Sequence, residues 1–112
     1  MKLYHFTCSH GRRAIGARGT LTPQGEHPAL GCRVIWLTSD PWPARVAAGL
    51  TSNLIGCDRM ESRYVVSDLG ACRPWIGSPE REGADPAVVA DLERYGRPET
   101  WWLTDGVRAR LG

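Results

Sequence analysis

Val34-Ile35-Trp36-Leu37-Thr38 is an almost unbroken apolar run, closed at once by Ser39-Asp40-Pro41. A run of that length, rich in β-branched and aromatic residues and bounded by turn formers, reads as a strand buried on both faces. It is expected to be central. A second short strand opens the chain: Leu3-Tyr4-His5-Phe6-Thr7 is apolar and aromatic and ends in the polar cluster Cys8-Ser9-His10-Gly11. Alternation points Tyr4 and Phe6 one way and Leu3, His5 and Thr7 the other. One imidazole and one hydroxyl therefore share a face. Read alone, His5 is explained first as a half-buried histidine bonded to a backbone carbonyl.

Glycine and proline punctuate the rest. Ser9 to Gly19 reads as a short helix, with Ser9 as N-cap, Ile15 as its main apolar anchor and Gly19 as its stop. Thr20 to Pro23 is extended, and Gln24 to Arg33 is a loop rich in Gly, Pro, His and Glu. Asp40-Pro41 starts a helix that runs through Ala44 and Val46 to Gly49. Ser62 to Val66 is a strand whose alternation sets Tyr64 and Val66 against Arg63 and Val65. Gly70 to Asp85 reads as a long surface loop. Asp85-Pro86 repeats the cap-plus-proline start for a helix over Ala87 to Tyr95, closed by Gly96. Pro98 to Thr104 gives a last strong strand, Asp105-Gly106 a turn, and Val107 to Leu111 a short exit strand. The order β-α-β-α-β-α-β-β, with helices this short in 112 residues, fits one α+β domain of small, strongly bent sheets better than a doubly wound sheet.

The formal charge is only +2, and Arg12-Arg13 is the one adjacent basic pair. A nucleic-acid partner is neither implied nor excluded by that count. Five tryptophans supply the buried area that a small domain needs. Cys8, Cys32, Cys57 and Cys72 form no CxxC pair, and Cys8 with His10 is too sparse for zinc. Four reduced, metal-free thiols are expected. Neither an apolar N-terminal leader nor a run of membrane-spanning length is present. The expected setting is cytoplasmic, away from membranes.

Three pieces together carry a resemblance. Leu3-Tyr4-His5-Phe6-Thr7, a short helix, and Gly19-Thr20-Leu21-Thr22-Pro23 resemble the first motif of ADP-ribosyltransferases. The branch meant is that of poly(ADP-ribose) polymerases, RNA 2′-phosphotransferases and DNA-modifying toxins. Val34 to Thr38, followed by Asp40-Pro41, looks like the second motif, and Glu99 before Thr100-Trp101-Trp102-Leu103-Thr104 sits where the third places its acidic residue. The resemblance implies a single domain of bent, split β-sheets over residues 1–112, with NAD as substrate and no metal. Along the nucleotide it implies His5 on the adenosine ribose, the Phe6 backbone on the nicotinamide amide, and Thr7 beside them. Trp36 would stack on the nicotinamide ring in place of the usual Tyr, and Glu99 would be the catalytic carboxylate. Arginine suits a pyrophosphate, and Arg13 and Arg18, on the first helix and its exit, are the candidates; Arg12, Arg59 and Arg63 are further arginines nearby.

Breaking the nicotinamide–ribose bond develops oxocarbenium character, which a nearby carboxylate stabilises. The implied activity is transfer of ADP-ribose to a macromolecule, nucleic acid or protein, or hydrolysis of NAD. Phe6, where the family carries a small residue, and Trp36, where it carries Tyr, motivate the alternative of a non-catalytic nucleotide- or protein-binding module. A third reading is an interaction protein whose tryptophans form the contact surface.

Overall fold

The computed structural model describes residues 1–16, 19–23, 25–27, 30–44 and 60–112. Its strands are β1 (Leu3–Thr7), β2 (Thr20–Leu21), β3 (Ile35–Thr38), β4 (Ser62–Val66), β5 (Cys72–Pro74), β6 (Trp101–Thr104), β7 (Val107–Arg108) and β8 (Arg110–Leu111). Its helices are α1 (Ser9–Ile15), α2 (Pro79–Gly83) and α3 (Pro86–Glu93). Among the described residues, six strands form one sheet in the order β5-β6-β3-β1-β4-β8, and β2 and β7 form a small second sheet. Every pairing is antiparallel. This is an α+β domain. No helix among the described residues is long and apolar enough to cross a membrane.

Both faces of the large sheet are covered, as the β3 run requires. Leu3, Ile35, Leu37, Tyr64 and Val66 face one core, closed by Ile15 of α1 and by Leu21 and Val107 of the small sheet. Trp101 and Leu103 face the other, closed by Val89 of α3 and by Trp75. Thus β3 sends Ile35 and Leu37 to the first core and packs Trp36 against the second. The expected alternation of β1 and β4 holds in the same way.

The segment from Gly70 to Asp85 departs from the expected loop. It contains a 3-10 turn at Leu69–Ala71, then β5 and α2. Trp75, in its middle, is fully buried, and its indole N–H donates to Glu93 at 2.6 Å. Arg81 donates to the same carboxylate at 2.8 Å, so the segment is tied to α3 rather than left on the surface. Ser78 caps α2 by accepting from the Arg81 N–H, with Pro79 next. The same device starts α3, where Asp85 accepts the Ala87 N–H at 2.8 Å ahead of Pro86.

Three further boundaries differ. α1 ends at Ile15 because Gly16 takes a positive φ of 56°, three residues before the expected stop at Gly19, and Cys8 rather than Ser9 is the N-cap. Glu99 lies in a 3-10 turn, Pro98–Thr100, ahead of β6. The exit strand divides, β7 joining the small sheet and β8 the edge of the large one. Asp40 Oδ1 accepts the Trp42 N–H at 3.0 Å, but residues 41–44 form bends and coil, so the helix expected to start at Asp40-Pro41 does not begin there. Residues 45–59 lie outside the described residues, and with them most of the expected helix to Gly49, Cys57 and Arg59.

Candidate functional site

β1 is zipped to β4 through five successive pairs, from Leu3 with Val66 to Thr7 with Ser62. Its other edge is different. β1 and β3 pair only at Tyr4 and Thr38, although β3 keeps four pairs with β6. Beyond that bridge the strands part, and a cavity of about 370 Å³ occupies the gap. Its walls run from Tyr4 to Cys8 and from Val34 to Thr38; α1 contributes Gly11, Ala14 and Ile15, and the stretch after β2 contributes Thr22, Pro23, Gly25 and Glu26. That volume falls in the range of small-molecule sites.

Where a second ladder bond belongs, a side chain stands instead. His5 Nδ1 lies 2.9 Å from the Trp36 carbonyl oxygen. A carbonyl only accepts, so Nδ1 carries the proton and Nε2 is the bare acceptor of a neutral ring. Burial pushes the imidazole below its ordinary pKa, opposed in part by the Trp36 bond. His5 is therefore a neutral imidazole in the cavity wall, with Nε2 unpaired among the described residues. The carbonyl-bonded reading of His5 is realised, and the ring also lines the cavity.

Thr7 follows on the same face. α1 packs so closely over it that a Cβ on Gly11 would stand 1.9 Å from Thr7 Oγ1. Only glycine allows that approach. Phe6, on the opposite face of β1, is buried at 7% exposure and also lines the cavity.

Trp36 lines the cavity, but its indole belongs to an aromatic cluster on the face opposite His5. Its ring centroid lies 5.1 Å from Trp75, 5.3 Å from Trp101 and 5.6 Å from His27. Its Nε1 is buried without a hydrogen-bond partner among the described residues. An unmet buried donor costs about 1–3 kcal/mol, and indole N–H groups ordinarily find a partner.

Of the other expected site residues, Glu99 and Arg13 stand apart from the cavity. Glu99 is exposed and ion-paired with Arg97 at 3.3 Å; it is not among the lining residues. It precedes the point where Thr100 O accepts the Ser39 N–H at 2.9 Å, near the Thr38 end of the gap. Arg13 lies on the far side of α1, in a groove with Ser9, Arg12, Gly16, Tyr64 and Leu111. Arg18 lies outside the described residues. Asp105 is paired with Arg73, and Glu61 accepts the Ser9 N–H at 2.9 Å; both are held in structural contacts. The carboxylate that does line the cavity is Glu26. Nothing in the Gly- and Pro-rich stretch around it singles it out in the sequence.

Cys32 and Cys72 are free thiols, and the Cys8 sulfur lies 3.8 Å from His10 Nδ1. Burial pushes the Cys32 and Cys72 thiols above their ordinary pKa, which makes them poor nucleophiles. No group of metal-ligating side chains gathers among the described residues. No protein-family model, no curated protein and no solved structure matches the chain.

Proposed function

We propose that the chain is an ADP-ribosyltransferase-like protein that takes NAD as substrate in the gap between β1 and β3 and transfers ADP-ribose to a macromolecule, nucleic acid or protein, or to water. One observation carries this reading: His5, the residue that the family resemblance assigns to a ribose hydroxyl, stands in a cavity wall as a neutral, pre-oriented acceptor. Nδ1 is committed to Trp36, so Nε2 receives a hydroxyl proton without reorganisation. The sheet also parts beside β1, as a split-sheet architecture requires. A space of about 370 Å³ suits one nucleoside of the dinucleotide rather than the whole.

Glu99 carries the electrostatic role in this proposal. It must turn from Arg97 toward the bound ribose, which is a small cost, since an exposed pair of this kind contributes less than about 1 kcal/mol. A second reading, a non-catalytic nucleotide-binding module, is favoured by one observation: Glu99 stands outside the cavity lining.

Incubation with NAD separates the two. Release of nicotinamide, abolished by His5→Ala, establishes turnover. Saturable NAD binding by calorimetry without nicotinamide release establishes the module. Failure to bind NAD at all removes both.

A further inference from the structure

Charge is unevenly divided along this chain. Residues 68–105 carry eight of the twelve acidic side chains and only four arginines. Three of those four are ion-paired: Arg73 with Glu80 and Asp105, Arg81 with Glu93, and Arg97 with Glu99. The remaining basic residues outnumber the remaining acids ten to four. The near-neutral total thus conceals one neutralised region and one basic remainder.

Part of that remainder gathers at the β4–β8 edge. Arg63 lies over the Trp42 ring at 3.8 Å and over the Tyr4 ring at 5.0 Å. It is fixed there by donating to the Pro41 carbonyl and to the Gly112 carbonyl, each at 2.8 Å. Trp42, held by that stack, is still 73% exposed. Its indole keeps one face on a cation and gives the other to solvent. Arg110 sits opposite Val65, which puts it on the same side of the sheet as Arg63. Around the edge, on the opposite face of the sheet, Arg12 and Arg13 line the groove of about 480 Å³ between α1 and Leu111. Arg12, Arg13 and Arg110 have no ion-pair partner among the described residues.

We infer that this edge binds single-stranded nucleic acid, with a base stacked on the open face of Trp42 and phosphates against Arg110, Arg12 and Arg13. A pre-oriented aromatic platform beside unpaired arginines is the combination by which proteins hold single strands. An acidic peptide would use the arginines and leave Trp42 idle. An anionic membrane would want a broad apolar face, and this edge offers little beyond Leu111. Tyr4 joins the edge to the cavity, since it lies under Arg63 and also lines the gap beside β1. The surface is nonetheless independent of NAD binding.

The test is fluorescence anisotropy with a short labelled oligothymidylate and the whole chain, across a salt series. The expected result is binding that weakens with salt. Trp42→Ala should cost about tenfold or more in affinity, and Trp42→Phe should restore most of it. Because Trp42 is exposed, neither change threatens the fold, which circular dichroism checks. Replacing Arg12, Arg13 and Arg110 together by Gln should flatten the slope of log affinity against log salt by about 2. No binding at low salt overturns the inference. So does a Trp42→Ala variant that binds like the parent, or equal binding of a duplex. Equal competition by polyglutamate, or by vesicles of anionic lipid, overturns it as well.

Discussion

The His5 imidazole bonds to the Trp36 carbonyl across the gap where β1 and β3 part, 2.9 Å from Nδ1 to oxygen. The bond fixes the tautomer, and the tautomer decides what the ring offers a ligand.

His5→Asn and His5→Ala are expected to differ for that reason. Asn can keep a donor toward the Trp36 oxygen but has nothing in place of Nε2. It should melt near the parent yet bind NAD at least tenfold more weakly. Ala strands the carbonyl as well and should lose about 1–3 kcal/mol of stability. Thermal melts with and without NAD read both effects, since a ligand of the folded state raises the melting temperature. Equal NAD binding by His5→Asn would remove His5 from the site.

Acid should act in two separate windows. A base whose folded pKa is lowered holds its proton less well folded than unfolded, so its contribution is whole above the unfolded value, about 6.5, and shrinks as pH falls below it. His5 is such a group. Glu93 is held below its ordinary carboxylate value by its bonds from Arg81 and Trp75, against the effect of burial. Its contribution is whole above about 4.5 and is lost as pH falls through the lowered folded value. Urea midpoints from pH 8 down to about 3 should decline first near the histidine range, and His5→Asn should remove that first decline only.

Glu99→Gln tests the catalytic assignment. The Arg97–Glu99 pair is exposed on both sides, so the melting temperature should hold. If NAD is turned over, nicotinamide release should drop on the order of a hundredfold, about 3 kcal/mol of barrier. Unchanged release with Glu99→Gln, together with loss in Glu26→Gln, would move the role to the carboxylate that lines the cavity.

Gly11→Ala should destabilise the domain by about 1–3 kcal/mol, since the new methyl collides with the Thr7 hydroxyl. Thr7→Ala removes the colliding oxygen, and the double variant should recover part of the loss. A purely additive pair would place the strain elsewhere.

The alternation of Leu3–Thr7 and Ser62–Val66 made both strands legible, because each strand's residues divide between two faces. The β3 run was legible as central for the same reason. The stretch around Trp75 was not. A lone tryptophan between Gly70 and Gly77 has no period, and its burial depends on Glu93, eighteen residues on. Ser78-Pro79 carried the same start signal as Asp85-Pro86, but its helix is only five residues long. At the site, His5 and its bonding to a carbonyl were foreseeable, whereas the gap itself was not: it results from a ladder that stops after one pair, and pairing between distant segments leaves no local mark. The Trp42 platform was hidden for a related reason, since Arg63 reaches it from another strand.

A sheet stitched at one point is mechanically two leaves. β5-β6-β3 pairs as one leaf and β1-β4-β8 as the other, joined by the single Tyr4–Thr38 pair. Among the described residues that pair, the His5 bond and the core shared by Leu3, Ile35 and Leu37 hold the two together, so the backbone ladder does little by itself to fix the width of the gap. A molecule that grips both lips stiffens the join, and amide exchange along His5–Thr7 and Ile35–Leu37 should then slow together. Compliance, built into the backbone, sets how large a guest the domain admits.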